Sequence, residues 1–295
     1  MARRSRIGVD MSRRLAHFFI GALLCGCAAA PSSDESRLQP APLSTSPASV
    51  PEIRPGFLAS YLGRDLPDSL LLIPAPPAEN TAAFEQDQSV SRASQRLRGT
   101  PRYAQATADA DLSFPHAASA FACALGAPIT PERSPHLYQL LRRSLTDAAL
   151  ATYAAKDHYR RPRPFVHYNE STCAPADEPT LRNDGSYPSG HTSIGWTWAL
   201  ILTELAPDRA DALLARGRSF GESRLVCNAH WQSDVLEGRA VAAGTVAKLH
   251  ADAAFNADLA AAGAEVADLR RSGQPPNADC DAETAAMSIH IDGVL

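Results

Sequence analysis

Gly185-Ser186-Tyr187-Pro188-Ser189-Gly190-His191-Thr192 leads without a break into Ser193-Ile194-Gly195-Trp196-Thr197-Trp198-Ala199-Leu200-Ile201-Leu202. The second half of this stretch is an apolar helix running from His191 through Trp196, Trp198 and Leu202 to Leu205. The first half is a Pro/Ser/Gly turn placed directly at its start. Helix N-termini present free backbone N–H groups and the positive end of the helix dipole, so this turn is a natural anion site. Gly190 lets the backbone approach a ligand closely, Ser189 offers a hydroxyl donor, and His191 stands beside the anion.

Further apolar helices surround this one. Ser134-Pro135 starts a helix with Ser as cap and Pro at the first position, and Leu137, Leu140, Leu141 and Leu145 recur at helical spacing. That helix can run into Lys156 and must end near Pro162 and Pro164. Asp208 caps another, which runs toward Arg224. Two more run from about Ser233 to His250 and from about Ala253 to Arg270. Leu70–Ile73, before Pro74-Ala75-Pro76-Pro77, reads as an extended segment stopped by prolines. Strand signals are nearly absent, so the expected class is all-α, a single bundle-like domain over 57–270. Residues 271–295 read as a loosely ordered tail, and 28–56, rich in Pro, Ser and Ala, as a flexible tether.

The 295 residues are 45% hydrophobic and 20% charged, which supports a sizeable core. A net charge of −4 with no basic stripe beyond the N-terminus argues against nucleic acid as a partner. Residues 1–27 read as an export signal, with basic arginines followed by the apolar run Phe18–Cys27. Ala28-Ala29-Ala30 is a small-residue cleavage site, but Pro31 would follow the cut. Leu24-Cys25-Gly26-Cys27 resembles a lipobox, which would make Cys27 a lipid anchor and is the preferred reading. The expected location is therefore periplasmic or secreted, or anchored to the outer membrane. Cys123, Cys173, Cys227 and Cys280 then suit two disulfides, with three pairings open.

Two other clusters carry chemistry. Lys156 and Arg163 are seven apart, two helical turns, and can reach from one face to two oxygens of one phosphate, Arg163 as a fork and Lys156 as a point charge. Taken alone, they also read as a solvated basic face. His230 and Asp234 are four apart, and a carboxylate on one ring nitrogen would fix the tautomer and leave the other free to attack. Taken alone, this is also a surface pair. Arg224 lies upstream and could reach the same phosphate. Histidines 116, 136, 158, 167, 250 and 290 lack such partners and read as structural or surface. Taken jointly, about ten matching positions leave little room for coincidence.

Together these clusters resemble the signature of the type 2 phosphatidic acid phosphatase (PAP2) and vanadium haloperoxidase superfamily. The unbroken octet 185–192 is similar to that of class A bacterial non-specific acid phosphatases, and the resemblance extends over about 57–270. It implies a metal-independent, cofactor-free hydrolase of small phosphomonoesters. His230 would be the nucleophile forming a phosphohistidine, Asp234 its orienting group, and His191 the acid, with phosphate held by Lys156, Arg163, Ser189, Gly190 and Arg224. Transfer of the phosphoryl group to alcohols would be a side activity. His191, titrating near ~6.5, would set an acid preference. Competing expectations are a vanadium-dependent haloperoxidase with His230 as metal ligand, a lipid phosphatase, and a non-catalytic phosphate-binding lipoprotein. An exposed apolar helix face would allow a homodimer.

Overall fold

The computed structural model describes residues 46–294. The export signal, Cys27 and most of the tether lie outside the described residues. The fold is all-α, with one two-stranded ribbon, β1 (Glu52–Arg54) against β2 (Phe57–Leu58). The longer helices are α1 (Ala82–Gln95), α2 (Pro101–Ala108), α3 (Pro135–Leu150), α4 (Tyr153–Tyr159), α5 (Gly190–Leu205), α6 (Ala210–Val226), α7 (Gln232–Leu249), α8 (Ala253–Arg271) and α9 (Cys280–Met287). Single helical turns join several of them.

Helix α5 is the axis, packed against α3, α6, α7 and α8. Its apolar sequence is buried nearly all round, as a helix inside a bundle must be. Trp198 is fully buried, and its indole N–H donates to the Leu141 carbonyl at 3.0 Å, which satisfies the ring's polar atom. The α5–α6 contact is set by glycine. A Cβ on Gly195 would come within 2.3 Å of the Phe220 ring, and one on Gly217 within 2.4 Å of the Ala199 Cβ. Likewise, a Cβ on Gly238 of α7 would meet the Ser189 carbonyl at 2.7 Å. Any larger residue there pushes α7 away from the start of α5.

Four expectations are corrected. The helix from Pro135 does not continue to Lys156. It breaks at Ala151–Thr152, where the Thr152 hydroxyl donates to the Ala149 carbonyl at 2.7 Å, and restarts as α4. Ser134 occupies the cap position of α3, but its hydroxyl engages Thr130, and Glu265 of α8 takes the amides of His136 and Leu137 instead. Leu70–Ile73 is not extended throughout. Ser69–Leu72 forms a helical turn because Asp68 caps the Leu70 amide at 2.9 Å. Residues 271–295, read as loosely ordered, contain α9, fixed by the Cys123–Cys280 disulfide and by an Arg216–Glu283 ion pair at 3.0 Å. The second disulfide joins Cys173 to Cys227, and these two bridges resolve the pairing that the sequence leaves open.

Candidate active site

The start of α5 forms the floor of a cleft. Ser189 is the N-cap, and its Oγ accepts from the Thr192 amide at 3.3 Å and from the Thr192 hydroxyl at 2.9 Å. Asp234 of α7 holds the turn from below, its carbonyl accepting from the Ser189 amide at 2.9 Å. Gly185 is required by close packing, since a Cβ there would meet the Lys156 carbonyl at 2.6 Å. A Cβ on Gly190 would lie 3.9 Å from the Lys156 side chain. The octet and α4 therefore build one wall.

Lys156 and Arg163 do not share a helical face as the seven-residue spacing suggested. Arg160 turns the chain with φ of 42°, and Arg163 lies in extended backbone between two prolines. Both side chains nevertheless converge. Lys156 Nζ donates to the Gly185 carbonyl at 2.5 Å, and Arg163 Nη2 donates to the same oxygen at 3.3 Å. Arg163 Nη1 donates to the Ala229 carbonyl at 3.1 Å and to His230 Nε2 at 2.8 Å. A guanidinium can only donate, so His230 Nε2 carries the lone pair. The ring proton then lies on Nδ1, which faces Asp234 Oδ2 at 3.3 Å. This is the tautomer a nucleophilic histidine needs.

Asp234 is not on one helical face with His230, as the four-residue spacing suggested. His230 precedes α7, and Asp234 is in its first turn, its Oδ2 also accepting the Trp231 amide at 2.8 Å. Its Oδ1 accepts from Arg161 Nη1 at 2.7 Å, and Arg161 Nη2 reaches Asp87 Oδ2 at 2.7 Å. Sequence reasoning missed Arg161 and Asp87. Arg161 stood in a basic run beside Arg160 and Arg163, and nothing in the spacing marked it as buried. It also missed Asp109, which accepts from the Ser223 hydroxyl at 2.6 Å and from Arg216 of the same helix, fixing α6 just before Arg224.

Arg224 is 1% exposed, and its Nε and Nη1 have no hydrogen-bond partner. With His191 it lines a cavity of about 580 Å³. A second cavity of about 220 Å³ is lined by Lys156, Arg163, Gly190, His191 and His230. The two share His191, Phe57 and Leu112, so they form one cleft. The structure thus gathers all eight predicted residues, with Ser189 and Asp234 behind the lining.

The charges in this cleft repel one another. Burial, then Arg163, lowers the Lys156 pKa to about 8. Burial, then Arg163, brings Arg224 down to about 10. Burial lowers both histidines well below the usual imidazole value, helped by Arg224 at His191 and by Arg163 at His230. The expected titration of His191 near ~6.5 is therefore not met in the unliganded cleft. His191 Nε2 donates to the Ala110 carbonyl at 3.0 Å, which leaves Nδ1 as its lone-pair nitrogen.

The PAP2 superfamily profile matches residues 137–256, the stretch that carries all eight predicted residues. A non-specific acid phosphatase of Providencia stuartii is 45% identical over 205 residues, 69% of this chain and 83% of that protein. The chain belongs to the class A bacterial non-specific acid phosphatases. A Salmonella typhimurium relative of the same description is 44% identical over 194 residues, covering 65% of this chain and 78% of that protein. The acid phosphatase of Zymomonas mobilis is 41% identical over 210 residues, covering 71% and 80%. The chain is accordingly an acid phosphatase, and its family implies small phosphomonoester substrates. Among the described residues, no helix is long and apolar enough to cross a membrane.

Proposed function

We propose that this acid phosphatase works through a phosphohistidine on His230, without a metal. The observation that carries the reading is Arg224, a buried guanidinium with two unpartnered nitrogens in a cleft that already holds Lys156 and Arg163. A buried unpaired cation is costly unless an anion completes it. A phosphate bound there receives Arg224, Lys156, the Ser189 hydroxyl and the Gly190 amide, and draws Arg163 Nη1 off His230 Nε2. The freed lone pair attacks phosphorus. The Nε2–P bond forms as the ester P–O bond breaks, and the leaving oxygen takes from His191 Nδ1 the proton that the substrate monoanion delivered there on binding. Charge stabilisation by preplaced donors supplies most of the rate. Water then attacks phosphorus while His191 takes its proton. The N–P bond breaks, phosphate leaves with the proton held on His191 Nδ1, and both histidines return to their starting forms. An alcohol in place of water gives phosphotransfer.

The test is para-nitrophenyl phosphate hydrolysis near pH 5.5 with excess EDTA, using the wild type and His230→Ala. Full wild-type turnover and none in the variant are expected, with acid-labile phosphate on the wild-type protein after rapid quench. Substantial turnover in His230→Ala would overturn the mechanism, and loss of wild-type turnover in EDTA would overturn metal independence. For the residues before 46 we propose export with Cys27 as the acylated residue. Mass spectrometry of the mature N-terminus checks it.

A further inference from the structure

The phosphate grip already contains an anion of its own. Asp184 Oδ2 accepts from Arg163 Nη2 at 2.8 Å and lies 3.5 Å from Lys156 Nζ. Its side chain is one-quarter exposed, at the mouth of the cavity that Lys156, Arg163 and His230 line. The guanidinium is otherwise fully engaged. Nε is shared between the Leu181 and Asp184 carbonyls at 3.0 and 3.1 Å, and Nη1 is held by the Ala229 carbonyl and His230. The remaining Nη2 contact, to the Gly185 carbonyl, is long at 3.3 Å. Incoming phosphate can gain Arg163 only by taking donors from His230 Nε2 and from the Asp184 carboxylate.

We infer that Asp184 is a resident carboxylate that competes with the phosphoryl group for Lys156 and Arg163 and so sets phosphate affinity. The inference rests on the phosphate-site reading above. Two observations separate a competitor from a fixed brace. Asp184 stands in a connecting segment just before Gly185, outside any helix, and it is the more exposed of the side chains hydrogen-bonded to either cation. Arg163 is meanwhile anchored by backbone carbonyls at Nε and Nη1, so its placement does not depend on the carboxylate. A carboxylate carries one negative charge and a phosphate monoester up to two. Substrate therefore wins the cations, but with reduced affinity. Product phosphate suffers the same competition, so Asp184 also speeds product release.

Replacing Asp184 with Asn keeps the shape and removes the charge. The inhibition constant for inorganic phosphate should fall roughly tenfold, the scale of one charge-assisted hydrogen bond, with KM for para-nitrophenyl phosphate falling alongside it. Asp184→Ser, which also removes the reach, should do the same. A merely structural role for Asp184 cannot improve phosphate affinity. Arg163→Ala, measured in parallel, reports on the site itself and should raise the inhibition constant. If it does so while both Asp184 variants leave phosphate inhibition unchanged or weaker, the competitor role is wrong and the site stands. If Arg163→Ala has no effect on phosphate inhibition, the site reading fails and the inference falls with it.

Discussion

Asp234→Asn changes one oxygen to an amide and leaves the side-chain shape intact, so it isolates hydrogen-bond polarity. The native carboxylate serves three donors. Oδ1 takes Arg161 at 2.7 Å, and Oδ2 takes the Trp231 amide at 2.8 Å and His230 Nδ1 at 3.3 Å. Asparagine has one acceptor oxygen for these two positions. If its nitrogen faces Arg161, it opposes a charged donor in a buried site, which makes this the less stable placement. If its nitrogen faces Oδ2's partners, it opposes the Trp231 amide and donates to His230 Nδ1. The ring proton then moves to Nε2, where it meets Arg163 Nη1 and the nucleophilic lone pair is lost. Either placement breaks a buried ion pair, at a cost of about 3–5 kcal/mol in stability. The second also lowers kcat by on the order of 10³–10⁴, the scale of a catalytic histidine held in the wrong tautomer. Arg161→Met in the same chain removes the donor facing Oδ1. The asparagine nitrogen can then point at the methionine, and its oxygen can again accept from Trp231 and His230. The double variant should therefore turn over para-nitrophenyl phosphate at least about tenfold faster than Asp234→Asn alone, a non-additivity expected only of directly coupled groups. Steady-state kcat on folded protein, checked by thermal melts, is the assay. If Asp234→Asn keeps more than about a tenth of wild-type kcat, or if adding Arg161→Met gives no recovery, the tautomer argument is refuted.

Two pH effects follow from the same cleft. His191 and His230 have folded-state pKa values well below the unfolded value, so the unfolded chain binds more protons in acid. Their stability contribution is complete above pH ~6.5 and is lost as pH falls. As pH falls below ~6.5 the two together should lower the unfolding free energy, and saturating phosphate should abolish most of that loss. A flat unliganded stability profile across this range would contradict it. Lys156, with its pKa brought to about 8, loses its charge above that pH. KM for phosphomonoesters should therefore rise about tenfold per unit above pH 8, and Lys156→Met should flatten that limb of the profile.

The fold was legible where side-chain period and burial coincide. The helices now seen as α5, α7 and α8 were bounded to within a few residues, because apolar positions and capping residues agree there. Three of the four misreadings share one cause: a polar side chain took a backbone group that the local pattern had assigned elsewhere. Thr152 takes the Ala149 carbonyl and breaks a helix, and Glu265 caps α3 from 129 residues away in place of Ser134. Tail helix α9 was invisible because a long-range disulfide and the Arg216 ion pair hold it. In the site, the residues proposed to meet phosphate directly are spaced in short runs and were readable. Arg161 and Asp184 pair with proposed site residues, and Asp87 and Asp109 with groups one step further out, and only tertiary geometry shows such partners.

The charge pattern also decides where the acid preference comes from. With no anion bound, a proton on His191 is disfavoured, because burial and then Arg224 oppose it. It is then a poorer pre-protonated acid than a free imidazole would be. A phosphoryl group among Lys156, Arg163 and Arg224 reverses the local field, and the cost of charging His191 falls when the anion arrives. Phosphate monoesters take up their second proton near pH ~6, so in acid the substrate can carry that proton into the cleft. Under the proposed mechanism, acid activity is thus a property of the enzyme–substrate complex. Substrate and proton enter linked, and the unliganded cleft is held as a cationic, proton-poor receptor for both.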